Sequence, residues 1–120
     1  MKKLIFDIDN TICFTKKGDY QNSIPNMELI EKMKDYKNKG FEIILQTARN
    51  MRTHDGNLGK INKYTLPVLI SWLEKHNVVY DEIHLGKPWC GFEGFYIDDK
   101  AIRPDEFVKY NYDEILEIIK

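Results

Sequence analysis

Asp7 and Asp9 stand one residue apart at the end of an apolar run, Leu4-Ile5-Phe6, with Ile8 between them. Period-two strand geometry aims both carboxylates to one side, and two like charges that close repel unless something positive lies between them. A divalent cation is the simplest answer. Mg²⁺ takes hard oxygen ligands and keeps several waters, so a carboxylate and a backbone carbonyl would suit it and leave room for a phosphate oxygen. The alternative is an acidic strand end followed by a Thr11 cap. On these residues alone both readings stand.

The elements that must position the pair follow from periodicity. Leu4 to Phe6 reads as a buried strand, whose C-terminal end would open on the ligand crevice of an α/β sheet. Residues 13–23 are polar with a Gly18-Asp19 turn signal, which predicts a short flap or hairpin beside the acids. A helix over 25–39, opened by Pro25, places Met27, Leu29, Ile30, Met33 and Tyr36 at helical spacing and stops at Gly40. Phe41 to Thr47 is a second buried strand, followed by a long polar loop over 49–63. The next helix carries Tyr64, Leu66, Val68, Leu69, Trp72 and Leu73, with Pro67 in its first turn. Residues 81–85 form a third strand, Phe95-Tyr96-Ile97 a fourth, and 112–119 a terminal helix with Ile115, Leu116 and Ile119 inward.

Alternating strands and helices imply an α/β fold with a mainly parallel sheet and right-handed crossovers, so the C-terminal strand ends share one rim. Asp7 and Asp9 leave the first strand there, Thr47 the second, Lys87 follows the third, and Asp98-Asp99 end the fourth. Each taken singly has a bland reading as a strand end, a solvated lysine or a turn. Their joint placement makes a site.

Length and composition bound the rest. At 120 residues the chain fits a single domain over 1–120. A net charge of -1 argues against a general nucleic-acid surface, which needs a basic excess. Cys13 and Cys90 match no metal spacing and suit reduced thiols in the cytosol, packed as small apolar groups. His54, His76 and His84 show no metal spacing either. With no apolar run long enough for a bilayer and no secretory signal, the expectation is a soluble cytoplasmic protein that engages no membrane.

Asp7-Ile8-Asp9-Asn10-Thr11, Thr47, Lys87 and Asp98-Asp99, in that order, resemble the four motifs of the haloacid dehalogenase superfamily. More narrowly, Thr47-Ala48-Arg49-Asn50-Met51-Arg52, Gly86-Lys87-Pro88-Trp89-Cys90 and the tail from Asp98-Asp99 to Pro104-Asp105-Glu106-Phe107 are similar to small bacterial phosphatases of capsule polysaccharide biosynthesis. The resemblance implies a three-layer Rossmann-like core. It also implies Asp7 as the nucleophile forming an aspartyl-phosphate, and Asp9 as the acid that protonates the leaving group and later activates water. Thr47 and Lys87 would hold phosphoryl charge. Mg²⁺ would be bound by Asp7, the Asp9 carbonyl and Asp98, with Asp99 as a second, water-mediated contact or a partner for Lys87.

Neither residues 12–24 nor the stretch from Thr47 to Lys87 has room for the cap domain of larger members. The site is therefore expected to be open, or closed in trans by another subunit of a homo-oligomer. Arg49, Asn50, Arg52 and His54 in the long loop, with Asn10, are candidate substrate contacts. The leading expectation is a Mg²⁺-dependent phosphomonoesterase acting on a sugar phosphate, or a nucleotide-linked sugar or alditol phosphate, in surface polysaccharide synthesis. The rivals are a phosphatase of protein or nucleic-acid ends and a non-catalytic phosphate-binding module of the same fold.

Overall fold

The computed structural model describes residues 2–120. The chain divides into two compact units, Met1–Trp89 and Cys90–Lys120. The first is α/β. Its sheet has three strands, β1 (Lys3–Asp7), β4 (Glu42–Thr47) and β5 (Glu82–Leu85), all parallel in the order β1-β4-β5. Asp7 lies opposite Gln46, and Thr47 opposite Leu85, so all three strands end on one rim. The core is strongest around β4, where Ile43, Ile44, Leu45 and Thr47 are buried.

The expected hairpin is present: β2 (Cys13–Phe14) pairs antiparallel with β3 (Ile24–Pro25), and a 3₁₀ turn over Tyr20–Asn22 lies between them. Pro25 thus belongs to the flap and does not open the helix. Asn26 caps it instead: its Oδ1 accepts from the Leu29 N–H at 3.4 Å, and its Nδ2 donates to the Thr11 carbonyl at 3.1 Å. Helix α1 (Met27–Asn38) buries Leu29, Ile30, Met33 and Tyr36, a stripe recurring every three to four residues, and packs on β4. Exposed Met27 falls off that stripe.

The polar stretch after β4 is shorter than its composition suggests. Turns run to Gly56, and helical structure then begins at α2 (Leu58–Lys60), widens to a π turn over Ile61–Thr65 and continues as α3 (Leu66–Lys75). The Leu66 N–H donates to the Ile61 carbonyl. Pro67 follows directly, and a widened turn is one way a helix accommodates a residue with no N–H to give. Asn57 and Lys60, inside the stretch expected as a loop over 49–63, cap and end the first turn: Asn57 Oδ1 accepts from the Lys60 N–H at 3.1 Å. Trp72 is buried as expected, with its Nε1 donating to the Ser23 carbonyl at 2.9 Å, which fastens the flap to α3.

Asp81 locks the start of β4 from outside the strands. Its Oδ1 takes the Lys37 ammonium at 2.6 Å and its Oδ2 the Ile43 N–H at 2.8 Å. These bonds, Lys37 first, hold its carboxyl below the ordinary 3.8. A depressed carboxylate stabilises the fold above its unfolded pKa, and that contribution is lost as pH falls through the folded value. Asp81→Asn is therefore expected to flatten the fall in Tm between about pH 4 and pH 2. Parallel melting curves for the variant and the parent across that range would refute it.

The second unit holds α4 (Pro104–Lys109), unmarked by the periodicity reading, and α5 (Tyr112–Ile118). Pro104 stands at the start of α4, with Glu106 accepting from the Arg103 N–H at 2.8 Å, and Asn111 and Glu114 bond each other's backbone N–H groups at the start of α5. Phe107 and Ile115 are buried, whereas Leu116, expected inward, is exposed. The expected fourth strand is a correction. Residues 95–97 lie outside every strand, between a turn at 91–93 and another at 99–100. An apolar trio becomes a strand only where a sheet edge receives its N–H and C=O groups, and composition does not say which edge does.

Candidate active site

The turn after β1 is built by backbone before any side chain acts. The Ile8 carbonyl accepts from the N–H groups of Thr11, Ile12 and Cys13, and Asn10 sits at φ 63, a left-handed conformation that asparagine tolerates. Ile8 and Ile12 are fully buried and anchor the turn. Asp7 and Asp9 flank Ile8 and stay half-buried at the rim.

Lys87 and Thr11 meet the Asp7 carboxylate. Lys87 Nζ lies 3.5 Å from Oδ1, and the Thr11 hydroxyl donates to Oδ2 at 3.4 Å. Burial pushes the Asp7 carboxyl above its ordinary 3.8, while Lys87 and the Ile8 N–H pull the other way. Lys87 reaches this place through β5. The Lys87 N–H donates to the Thr47 carbonyl at 3.0 Å, after Gly86 turns the chain at φ 84. A methyl at Gly86 would stand 2.6 Å from Leu58 Cδ2, the end of an exposed side chain that can move aside, so it is the positive φ that calls for glycine.

Asp9 is held differently. Arg49 Nε donates to Oδ2 at 3.1 Å and Nη2 to Oδ1 at 2.9 Å, a bidentate pair. Thr15 donates to Oδ1 at 3.0 Å and exchanges a 2.6 Å hydrogen bond with buried Ser23. Arg49 is buried under the flap, its guanidinium carbon 4.2 Å from the Tyr20 ring centre. Its Nη1 is buried with no hydrogen-bond partner among the described residues. Such an orphaned donor demands an acceptor. Thr47 is buried too, and its Oγ1 accepts from the Arg49 N–H at 2.9 Å, leaving its own proton to give.

Asn50 and His54 have their side chains engaged away from Asp7 and Asp9. Asn50, at φ 61, spends its side chain on Thr65 at 2.7 Å and Thr53 at 3.3 Å, so it shapes the loop. His54 stacks on Tyr64 at 5.8 Å, and Arg52 and Asn10 are exposed. Asp98 and Asp99 belong to the second unit, where Asp98 Oδ1 accepts from the Lys100 N–H at 2.9 Å. Periodicity missed Thr15, Tyr20 and Ser23. The one signal was their place in a polar flap beside the acids.

Cys13, buried at the flap base, lies 3.8 Å from Arg49 Nη2, and burial pushes its thiol up, so it packs rather than reacts. For a metal, the donor set is short. Among the described residues no three His, Cys, Asp or Glu side chains gather closely enough to hold one, and Arg49 and Thr15 already engage Asp9. Asp7 and Asp9 by themselves supply two carboxylates, fewer ligands than a divalent cation takes.

No protein-family model and no curated protein matches the chain. Its structure is similar to the crystal structure of a structural-genomics target from Vibrio cholerae, at 54% identity, over 99% of this chain and 97% of that one, with a TM-score of 0.97. The chain belongs to the same family as that protein. Two structures of a Pnkp1/Rnl/Hen1 complex, one described as an RNA repair complex, share the fold at 18% and 17% identity with TM-scores of 0.54 and 0.50. This chain spans about a third of theirs, 34% and 32%. No helix among the described residues is long and apolar enough to cross a membrane.

Proposed function

We propose that the chain is a phosphomonoesterase of the haloacid dehalogenase type, working through an aspartyl-phosphate. Its expected substrate is a sugar phosphate, or a nucleotide-linked sugar or alditol phosphate, of surface polysaccharide synthesis. One observation carries the reading: a half-buried carboxylate, Asp7, stands at the C-terminal end of a parallel strand with a lysine ammonium 3.5 Å away and a second carboxylate two residues on. The orphaned Arg49 Nη1 supports an anionic ligand at the same place.

In this mechanism an Asp7 oxygen attacks phosphorus, the P–O bond to the leaving group breaks, and the departing alkoxide takes a proton from Asp9. Asp9 then removes a proton from water, which attacks the same phosphorus and frees Asp7. Asp9 can serve only if Arg49 yields one of its two oxygens, so Arg49 couples substrate arrival to proton transfer by exchanging a carboxylate oxygen for a phosphate oxygen. Lys87 and Thr47 hold the phosphoryl charge without reorganisation. Mg²⁺ is the expected cofactor and would supply further positive charge there, and the family resemblance implies Asp98 and Asp99 as its further ligands.

A panel of sugar phosphates, nucleotides, nucleotide-linked alditol phosphates, phosphopeptides and end-phosphorylated RNA tests the proposal. The expected result is phosphate release, fastest from the sugar or alditol esters and abolished by EDTA. Preference for phosphopeptides or RNA ends would overturn the polysaccharide reading, and the description of one fold neighbour as an RNA repair complex makes the RNA arm worth including. Release that is indifferent to EDTA would overturn the metal.

A further inference from the structure

We propose that Trp72 is a positioning residue for Asp9: its indole N–H, acting through Ser23 and Thr15, fixes the flap that holds the carboxylate in place for proton transfer. The catalytic consequence rests on the phosphatase reading. The chain of contacts does not, and every member of it belongs to the first unit.

Two groups hold Asp9, and both depend on the flap. Thr15 follows β2 directly and donates its single hydroxyl proton to Asp9 Oδ1 at 3.0 Å. With that proton spent, the 2.6 Å bond between Thr15 and Ser23 must have Ser23 as its donor. The two hydroxyls therefore run head to tail, Ser23 to Thr15 to Asp9, and each bond polarises the next. Arg49, the other group, holds both Asp9 oxygens with its guanidinium against the Tyr20 ring, and Tyr20 begins the 3₁₀ turn that ends beside Ser23. Ser23 is common to both: its hydroxyl feeds Thr15, and its N–H donates to the Tyr20 carbonyl at 3.3 Å.

Trp72 fixes Ser23 in turn. The buried Ser23 carbonyl accepts the indole Nε1–H at 2.9 Å from a side chain that is itself buried and lies 49 residues further on. Helix α3 also packs on the 3₁₀ turn, so the anchor is a helix of the core and not another loop. A tryptophan that only filled the core would need its ring alone; the directed Nε1–H bond to the flap is what a phenylalanine lacks. A buried carbonyl that loses its donor is driven to find water, and here that means loosening the flap. Asp9 must meet the leaving oxygen in the first step and water in the second, so a flap displaced by about an ångström misplaces it for both.

Trp72→Phe keeps a ring and deletes the donor. With a sugar phosphate, whose alkoxide leaves only as it is protonated, kcat/KM is expected to fall about tenfold, a part of the roughly 10²–10⁴ that a positioned acid supplies. With p-nitrophenyl phosphate, whose phenolate departs as an anion, the change should stay below about twofold. Ser23→Ala, which breaks the chain nearer to Asp9 and leaves the Trp72 bond in place, should give the same split. An equal loss on both esters would reduce Trp72 to a support of the fold and overturn the proposal. Proton exchange at the Arg49 Nε–H, followed by NMR and scaled to the amides of β4 to remove any general loss of stability, reads the same chain without turnover. It should quicken about tenfold in Trp72→Phe, and an unchanged rate also overturns the proposal. An inactive parent in which that exchange quickens would refute the phosphatase reading and leave the hold of Trp72 on Asp9 standing.

Discussion

Asp7→Asn is expected to reduce phosphate release by a factor on the order of 10³–10⁶, the scale seen when a covalent nucleophile is removed. An amide keeps the shape and loses the charge. Its carbonyl oxygen is too weak a nucleophile to open a phosphoester, whatever Lys87 and Thr47 still contribute to binding. The fold should not suffer. The contacts of the Asp7 side chain with Thr11 and Lys87 are long, 3.4 Å and 3.5 Å. Burial also raises its carboxyl above the ordinary 3.8. A raised carboxyl pKa means that the ionised form is less favourable in the folded chain than in the unfolded one, so at neutral pH the charge works against stability. In metal-free buffer the variant should melt at or above the parental Tm. Paired phosphate-release and melting measurements decide the matter: activity that survives removes Asp7 as nucleophile, and a large drop in Tm would assign it to the fold.

Arg49→Met should be the most destabilising change at the site. The substitution leaves Asp9 facing Thr15 and Cys13 without its bidentate partner, beneath a flap that has lost the guanidinium stacked on Tyr20. Stranding one member of a fully buried pair costs about 3–5 kcal/mol. Asp9 keeps partial contact with water, its side chain 28% exposed, so the expected loss is about 2–3 kcal/mol. Asp9→Asn placed on top of Arg49→Met should recover part of it, because the stranded charge goes; urea unfolding of the two single variants and the double reads this coupling directly. Strict additivity would mean that the pair contributes nothing to the fold. Arg49→Lys should restore little, since one ammonium cannot span both Asp9 oxygens while also presenting a donor to an anion.

Much of this site is written locally. Asp7 and Asp9 follow from their spacing on an apolar strand, Thr47 and Lys87 from their places after β4 and β5, and all four reach one rim because the parallel register β1-β4-β5 leaves little choice. The flap was legible from Gly18-Asp19 and its polar flanks. Pro25 is ambiguous in sequence because proline opens helices and also fits edge strands, and the capping power of Asn26 decides between the two uses. The loop over 49–63 was read too long because Leu58 and Ile61 are too sparse to betray helical periodicity among Asn57, Gly59, Lys60 and Asn62.

By itself the sequence determined which residues could do chemistry, and the strand ends that present them, because both depend on neighbours a few positions away. Tertiary structure alone decided that Arg49, forty residues from Asp9, closes on it with two hydrogen bonds, and that Thr15, itself bonded to Ser23, reaches the same carboxylate through the flap. It also decided that residues 95–97 form no strand among the described residues. Periodicity records which face of an element is apolar. Which surface meets that face depends on how distant segments approach one another, and no local pattern carries that information.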